Sequence, residues 1–249
     1  MNMLPMGYLY RLVAKRPEWL RAEQVEDIYS LHDCFTKHFA DYIKFWKHNG
    51  FWLFDSPEII ETLAREHSIS LDGMQLFYFE VFEKEFDEDS NSWVTFSPEA
   101  SFVTNVEKPP HCSFEGFDIA SFSYGNTAES SPLSCVRLAE KVPANEHCLL
   151  DTLDDARNTI EQNLEELHEP GPYRIIAVYT VPVTAADHKL RVVGTVDARI
   201  LPSRLTKGTR SATAVVEMNK AQMPAWIVDG QDQPFPCRDG NAVLLNQIK

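Results

Sequence analysis

FWLFDSPEIIETLA, residues 51–64, joins a short apolar run to an Asp-Ser pair and then to a helical pattern. Ninety-six positions later the chain reads HCLLDTLDDARNTI, residues 147–160, with the same order. In the first copy Ser56 is a good helix N-cap and Pro57 suits the first helical position. Ile59, Ile60, Leu63 and Ala64 give that helix its apolar stripe. In the second copy Thr152 takes the N-cap with Asp155 three residues on, close to a capping box. Leu153, Ala156, Ile160 and Leu164 form its stripe. The capping needs of any helix account for the shared Asp-Ser/Thr pair; an internal duplication is the alternative.

Working outward, strands flank both junctions. The stretch MQLFYFEVFEKEF (74–86) is aromatic and β-branched, DEDSN supplies a turn, and SWVTFS is the return strand of a hairpin. YRIIAVYTV (173–181) is a second strongly β-forming run, and GFDIASFS (116–123) a third. GYLYRLVA (7–14) reads as the first strand, with Pro17 opening a short helix. Phe35, Phe39, Tyr42 and Trp46 lie on one face of a helix, and Asn49-Gly50 ends it. FWLF and CLL read as strands, and SPLSCVRLAEKV (131–142) as a helix. The fold expected is α/β or α+β, a mixed sheet with packed helices. It contains two similar strand–helix–strand units, with right-handed crossovers if their strands are parallel neighbours.

Texture changes near Pro182. Residues 1–182 hold 14 basic and 31 acidic side chains, a balance of −17, whereas residues 183–249 hold 9 and 6, or +3, giving −14 for the chain. The division expected is an acidic domain at 1–182 and a smaller β-rich region at 183–249 packed upon it, with Asp-Gly turns at 229–230 and 239–240. No apolar run approaches the roughly 20 residues that cross a bilayer, and the start lacks the order of a secretory signal. Five cysteines at irregular spacing, with no Cys-x-x-Cys pair, predict free thiols in a cytoplasm rather than zinc or disulfides.

The chain carries no Walker loop, dinucleotide fingerprint, nucleophile elbow or EF-hand order, so neither a cofactor nor a metal is expected. Its negative field repels phosphate backbones and favours a basic protein partner over nucleic acid or a membrane. The densest acidic run is EVFEKEFDED, residues 80–89, with six acids and one lysine. Glu80, Glu83, Glu85, Asp87, Glu88 and Asp89 would steer such a partner, and Phe82 and Phe86 would anchor it. The leading expectation is therefore a non-catalytic protein-binding module, in concrete form a bacterial toxin-neutralising (immunity) protein. The contrasting role for the run is an edge hairpin that charge protects from aggregation.

One enzyme-like order also occurs. Arg11 ends the first strand, Ser56 follows a second, and Glu83-Lys84-Glu85 lies on a third. That order resembles ADP-ribosyltransferase-like folds, which place an arginine, a serine strand and then a glutamate. The resemblance implies a transferase with Arg11, Ser56, Glu83 and Glu85 as catalytic candidates. It departs from the family where Ser56 reads as a helix cap and where no catalytic loop holds the glutamates. A third expectation is an assembly role in which residues 183–249 supply an oligomer interface.

Overall fold

The computed structural model describes residues 2–31, 49–96, 105–123 and 128–182. The helix expected at 35–46 and the region 183–249 lie outside the described residues.

The centre is an antiparallel sheet of β1 (Met3–Arg11), β4 (Gln75–Asp87), β7 (Tyr173–Val181) and β6 (Ser113–Ser121), in the order β1-β4-β7-β6. The return strand β5 (Ser92–Thr95) pairs with the end of β4, and a two-stranded ribbon joins β2 (Ala14–Lys15) to β3 (Asp27–Ile28). Two ten-residue helices accompany the sheet, α1 (Pro57–Glu66) and α2 (Leu153–Gln162). Every ladder among the described residues is antiparallel. The described part is thus α+β, and the parallel crossover considered from sequence does not occur in it.

Side chains opposite one another in a ladder share a face of the sheet. Tyr10 of β1 donates a hydrogen bond to Glu61 of α1, and Trp93 of β5 donates one to Glu161 of α2. Both helices therefore cover the face that carries Tyr10 and Tyr173. Ile60 and Leu63 of α1 pack there with Tyr8 and Tyr10. Leu153, Ala156 and Ile160 of α2 pack with Ile119, Tyr173 and Ile175. Burying these apolar side chains is what holds short helices that would be marginal alone.

FWLF and CLL are not strands. Each is a tight turn touching the sheet by one bridge, Phe54 to Tyr8 of β1 and Leu150 to Phe117 of β6. Asn49 organises the first turn. Its carboxamide donates to Met6 O and Asp55 Oδ1, and its oxygen accepts from the amides of Phe51 and Leu53. Asn145 makes the same set, donating to Glu115 O and Asp151 Oδ1 and accepting from His147 and Leu149. Trp52 and Cys148 take the left-handed conformation at matching places, each with φ of 60°. A glycine meets each turn on the neighbouring strand, Gly7 at φ 144° and Gly116 at φ 142°. A Cβ on Gly7 would come within 2.8 Å of Leu53 Cβ, and one on Gly116 within 2.7 Å of Leu149 Cβ. Only glycine lets the strand approach so closely at that φ. Gly7 pairs with Phe79, Phe79 with Val178, and Val178 with Gly116, so the two glycines end one row across the sheet.

The helix caps differ where the turns agree. Thr152 accepts a hydrogen bond from the Asp155 amide, as the capping box required, whereas the Ser56 side chain makes no cap bond. Two further expectations are corrected. The stretch after Pro17 forms turns rather than a helix. The helix expected over 131–142 is a single turn at Pro132–Cys135 and a 3-10 turn at Leu138–Glu140, broken by Arg137 at φ 66°.

Candidate functional site: an acidic edge

The acidic run occupies the second half of β4 and the turn into β5. Alternation along the strand divides its side chains sharply. Phe82 is 4% exposed and Phe86 2%, both edge-on to Trp93 in the core beneath α2. They are core residues, so the apolar anchors expected at a docking surface lie inside the fold. Glu80 is 6% exposed, and its carboxylate accepts from the hydroxyls of Tyr78 and Tyr179 and from Lys108. Glu85 forms a 2.8 Å ion pair with Arg174, whose guanidinium stacks on Phe96 and Phe122 in the interior. Glu83 accepts from the Asn2 amide, tying down the start of the chain. Asp87 closes the turn by accepting from the Asp89 amide and the Ser90 hydroxyl.

What stays at the surface is the tip, Glu88 and Asp89. The fold brings the tip to the far end of α2, which the sequence reading did not connect with it. Glu88 Oε2 accepts from the Gly171 amide at 3.0 Å, and Trp93 Nε1 reaches Glu161 Oε1 at 2.6 Å. Beside Glu88 lies a shallow cleft of about 350 Å³, lined by Glu88, Leu164, Glu165, His168, Glu169 and Tyr173 along with Pro170. Glu165 and His168 are exposed on one wall and Glu88 on the other. Beneath the cleft, burial, together with the charges of Glu88 and Glu169, pushes the buried Tyr173 phenol far above its ordinary range. Three carboxylates, Glu88, Glu165 and Glu169, around one cleft make a surface for cationic side chains. The signal is present in sequence as EQNLEELHEP, residues 161–170, where the apolar stripe of the helix ends at Leu164.

The transferase candidates are not brought together. Arg11 pairs with Gln75 at the start of β4, while Glu85 lies ten residues on, on the order of 30 Å at about 3.3 Å per residue. Arg11 is 2% exposed, donates to the carbonyls of Ser30 and Ile28, and lies over the Phe77 ring. Burial draws its guanidinium down to about 10, a shift that nearby Asp118 opposes, so it remains cationic at neutral pH. Asp118 itself is fully buried and accepts from Ser131 Oγ at 2.6 Å. Ser56 stands at the start of α1. No family model matches the chain, and no curated protein and no solved structure matches it significantly. Among the described residues no group of three or more His, Cys, Asp or Glu side chains is arranged to hold a metal. No described helix is long and apolar enough to cross a membrane.

Proposed function

We propose that this chain is a non-catalytic protein-binding module whose acidic edge receives a basic partner. The observation that carries this reading is the convergence of the β4–β5 tip with the end of α2. It places Glu88, Glu165 and Glu169 around one cleft. The tip and the cleft walls are held from beneath by Tyr173, Trp93 and the Phe82–Phe86 cluster, so a partner meets a formed surface rather than a loop it must order. A toxin-neutralising role, in which this edge blocks a basic active site, is the concrete form of the proposal. A reducing, cytoplasmic setting suits Cys112, Cys135 and Cys148, all free thiols. The likeness of the two Asn-centred turns supports a further element of the reading, two similar strand–helix–strand units side by side.

Reversing charge at Glu88, Glu165 and Glu169 to lysine tests the docking surface. The wild-type protein, immobilised, should capture a basic protein from the cells that make it, and the triple variant should not. Equal capture of that protein by both would refute the acidic edge as its docking surface. No observation favours the transferase reading, because Arg11 of β1 lies opposite the start of β4 and Glu85 lies near the other end of that strand.

A further inference from the structure

The two Asn-centred turns belong to a larger correspondence. In each, the asparagine amide donates to a carbonyl later in the turn, Asn49 to Leu53 O at 2.6 Å and Asn145 to Leu149 O at 2.8 Å. The residue at φ 60° then donates back to the asparagine carbonyl, Trp52 to Asn49 O and Cys148 to Asn145 O. A pair of backbone bonds to the strand closes each turn, Phe54 with Tyr8 and Leu150 with Phe117. From the asparagine to the end of the helix the match needs no gap, Asn49 to Glu66 running in step with Asn145 to Gln162. The strand beside each turn carries the same irregularity. The register shifts between Pro5 and Gly7 and between Phe114 and Gly116. The carbonyl of the residue in between, Met6 or Glu115, accepts from the asparagine carboxamide. A bulge at a fixed place is a specific feature of a strand, and helix capping does not produce one.

The pairing of β4 with β7 relates the two copies. Gly7 lies opposite Phe79, Gly116 lies opposite Val178, and Phe79 pairs with Val178. On either side of that pair the register answers itself. Tyr78–Tyr179 on one side matches Glu80–Ala177 on the other, and Phe77–Thr180 matches Val81–Ile176. Counting outward from Phe79 and Val178 along both strands therefore exchanges one strand for the other, as a twofold axis perpendicular to the sheet does. The order β1-β4-β7-β6 obeys the same operation, with the first strand of each copy outside and the last strand inside. A twofold interface of this kind is isologous: one patch meets a copy of itself.

We infer that the described parts of residues 3–87 and 113–181 are two copies of one folding module, paired about a pseudo-twofold axis at Phe79–Val178 as the subunits of a homodimer are. The partner that the inner strand of each copy is built to meet is a second copy of the same module, here supplied by the same chain. This pairing rests on the two-unit reading and is independent of the acidic edge.

The test is made in the full chain, with composition held constant. One variant exchanges residues 49–56 (NGFWLFDS) with 145–152 (NEHCLLDT), and a second extends the exchange to 49–66 and 145–162. A third, the control, exchanges 49–56 with 146–153, which removes the asparagine from position 49 and sets every grafted residue one place out of step. The in-register variants should keep the wild-type circular dichroism and a single cooperative thermal transition, its midpoint lowered by about 10 °C as side chains repack. The displaced variant should lose that transition. A transition kept by either in-register variant and absent from the displaced one upholds the inference. Its loss from both in-register variants would mean that each turn–helix segment is fitted only to its own place, and overturns the inference. Retention by the displaced variant overturns it as well. These outcomes are read from folding and not from capture of a basic partner, so they stand apart from success or failure of the acidic edge.

Discussion

At the scale of single residues, the strictest demands fall on two glycines. Replacing Gly7 or Gly116 by alanine forces a Cβ onto a backbone carbonyl and a leucine Cβ while the backbone holds positive φ. Each substitution should cost about 2–4 kcal/mol in denaturant unfolding. Gly73→Ala serves as the comparison. Its φ is also positive, but its Cβ would meet only Leu12 Cδ2 at 3.9 Å, so about 1 kcal/mol is expected. The buried phenols and thiol give a pH signature. Burial is the first cause at each group: it pushes Tyr8 up to about 12 and moves Tyr78, Tyr173 and Cys148 up further still. Tyr29 and Tyr179 shift upward for the same reason. A raised pKa in the folded state means that the folded form holds its proton more tightly. The contribution to stability is therefore complete below the unfolded values, 9.0 for cysteine and 10.0 for tyrosine, and declines as pH rises beyond them. Ultraviolet titration of the eight tyrosines should show at least five ionising late, with unfolding preceding or accompanying them.

At the scale of elements, the hairpin separates acids that build the fold from acids that face outward. Glu85→Ala would leave the guanidinium of Arg174, on which burial already acts, without its carboxylate and should cost about 2–4 kcal/mol. Glu88→Ala and Asp89→Ala should each change stability by under about 0.5 kcal/mol, as exposed positions do. Thermal or urea unfolding of the three variants measures this division. The caps separate in the same way: Thr152→Ala should cost about 1 kcal/mol and Ser56→Ala only a few tenths. The composition of 74–86, 116–123 and 173–181 revealed the strands, and the stripes of Ile60–Leu63 and Leu153–Ile160 revealed the helices. Ser56 and Thr152 drew attention to the caps, yet the feature the copies share most fully begins earlier, at Asn49 and Asn145. The asparagines fold FWLF and CLL into turns that composition reads as strands. Phe82 and Phe86 look like anchors in sequence because alternation alone does not say which face of a hairpin meets the core. That depended on α2, more than sixty residues downstream.

At the scale of the whole molecule, the described acids divide between those held inside the fold and those left at its surface. Inside, Glu80, Glu85 and Asp118 are each held by hydrogen bonds, and the first two by cations as well. Outside, the tip of the hairpin and the stretch after α2 bring Glu88, Glu165 and Glu169 around one cleft. None of the exposed acids that make this edge, apart from Glu88 and Asp89, belonged to the run that sequence singled out. A contiguous surface from residues 88 and 165 exists only after β4 and β7 have paired. An edge of this kind acts mainly on encounter, because unscreened charge steers a partner over distances near the Debye length of about 8 Å in physiological salt.

Association kinetics of the captured partner provide the direct measurement, run from about 0.05 to about 0.5 M salt on the wild type and on the Glu88→Lys, Glu165→Lys, Glu169→Lys triple variant. The wild-type rate should fall at least about tenfold across that range, and the variant should associate slowly at every salt concentration, with its fold unchanged by circular dichroism. A rate that is indifferent both to salt and to the three reversals would contradict an acidic docking edge.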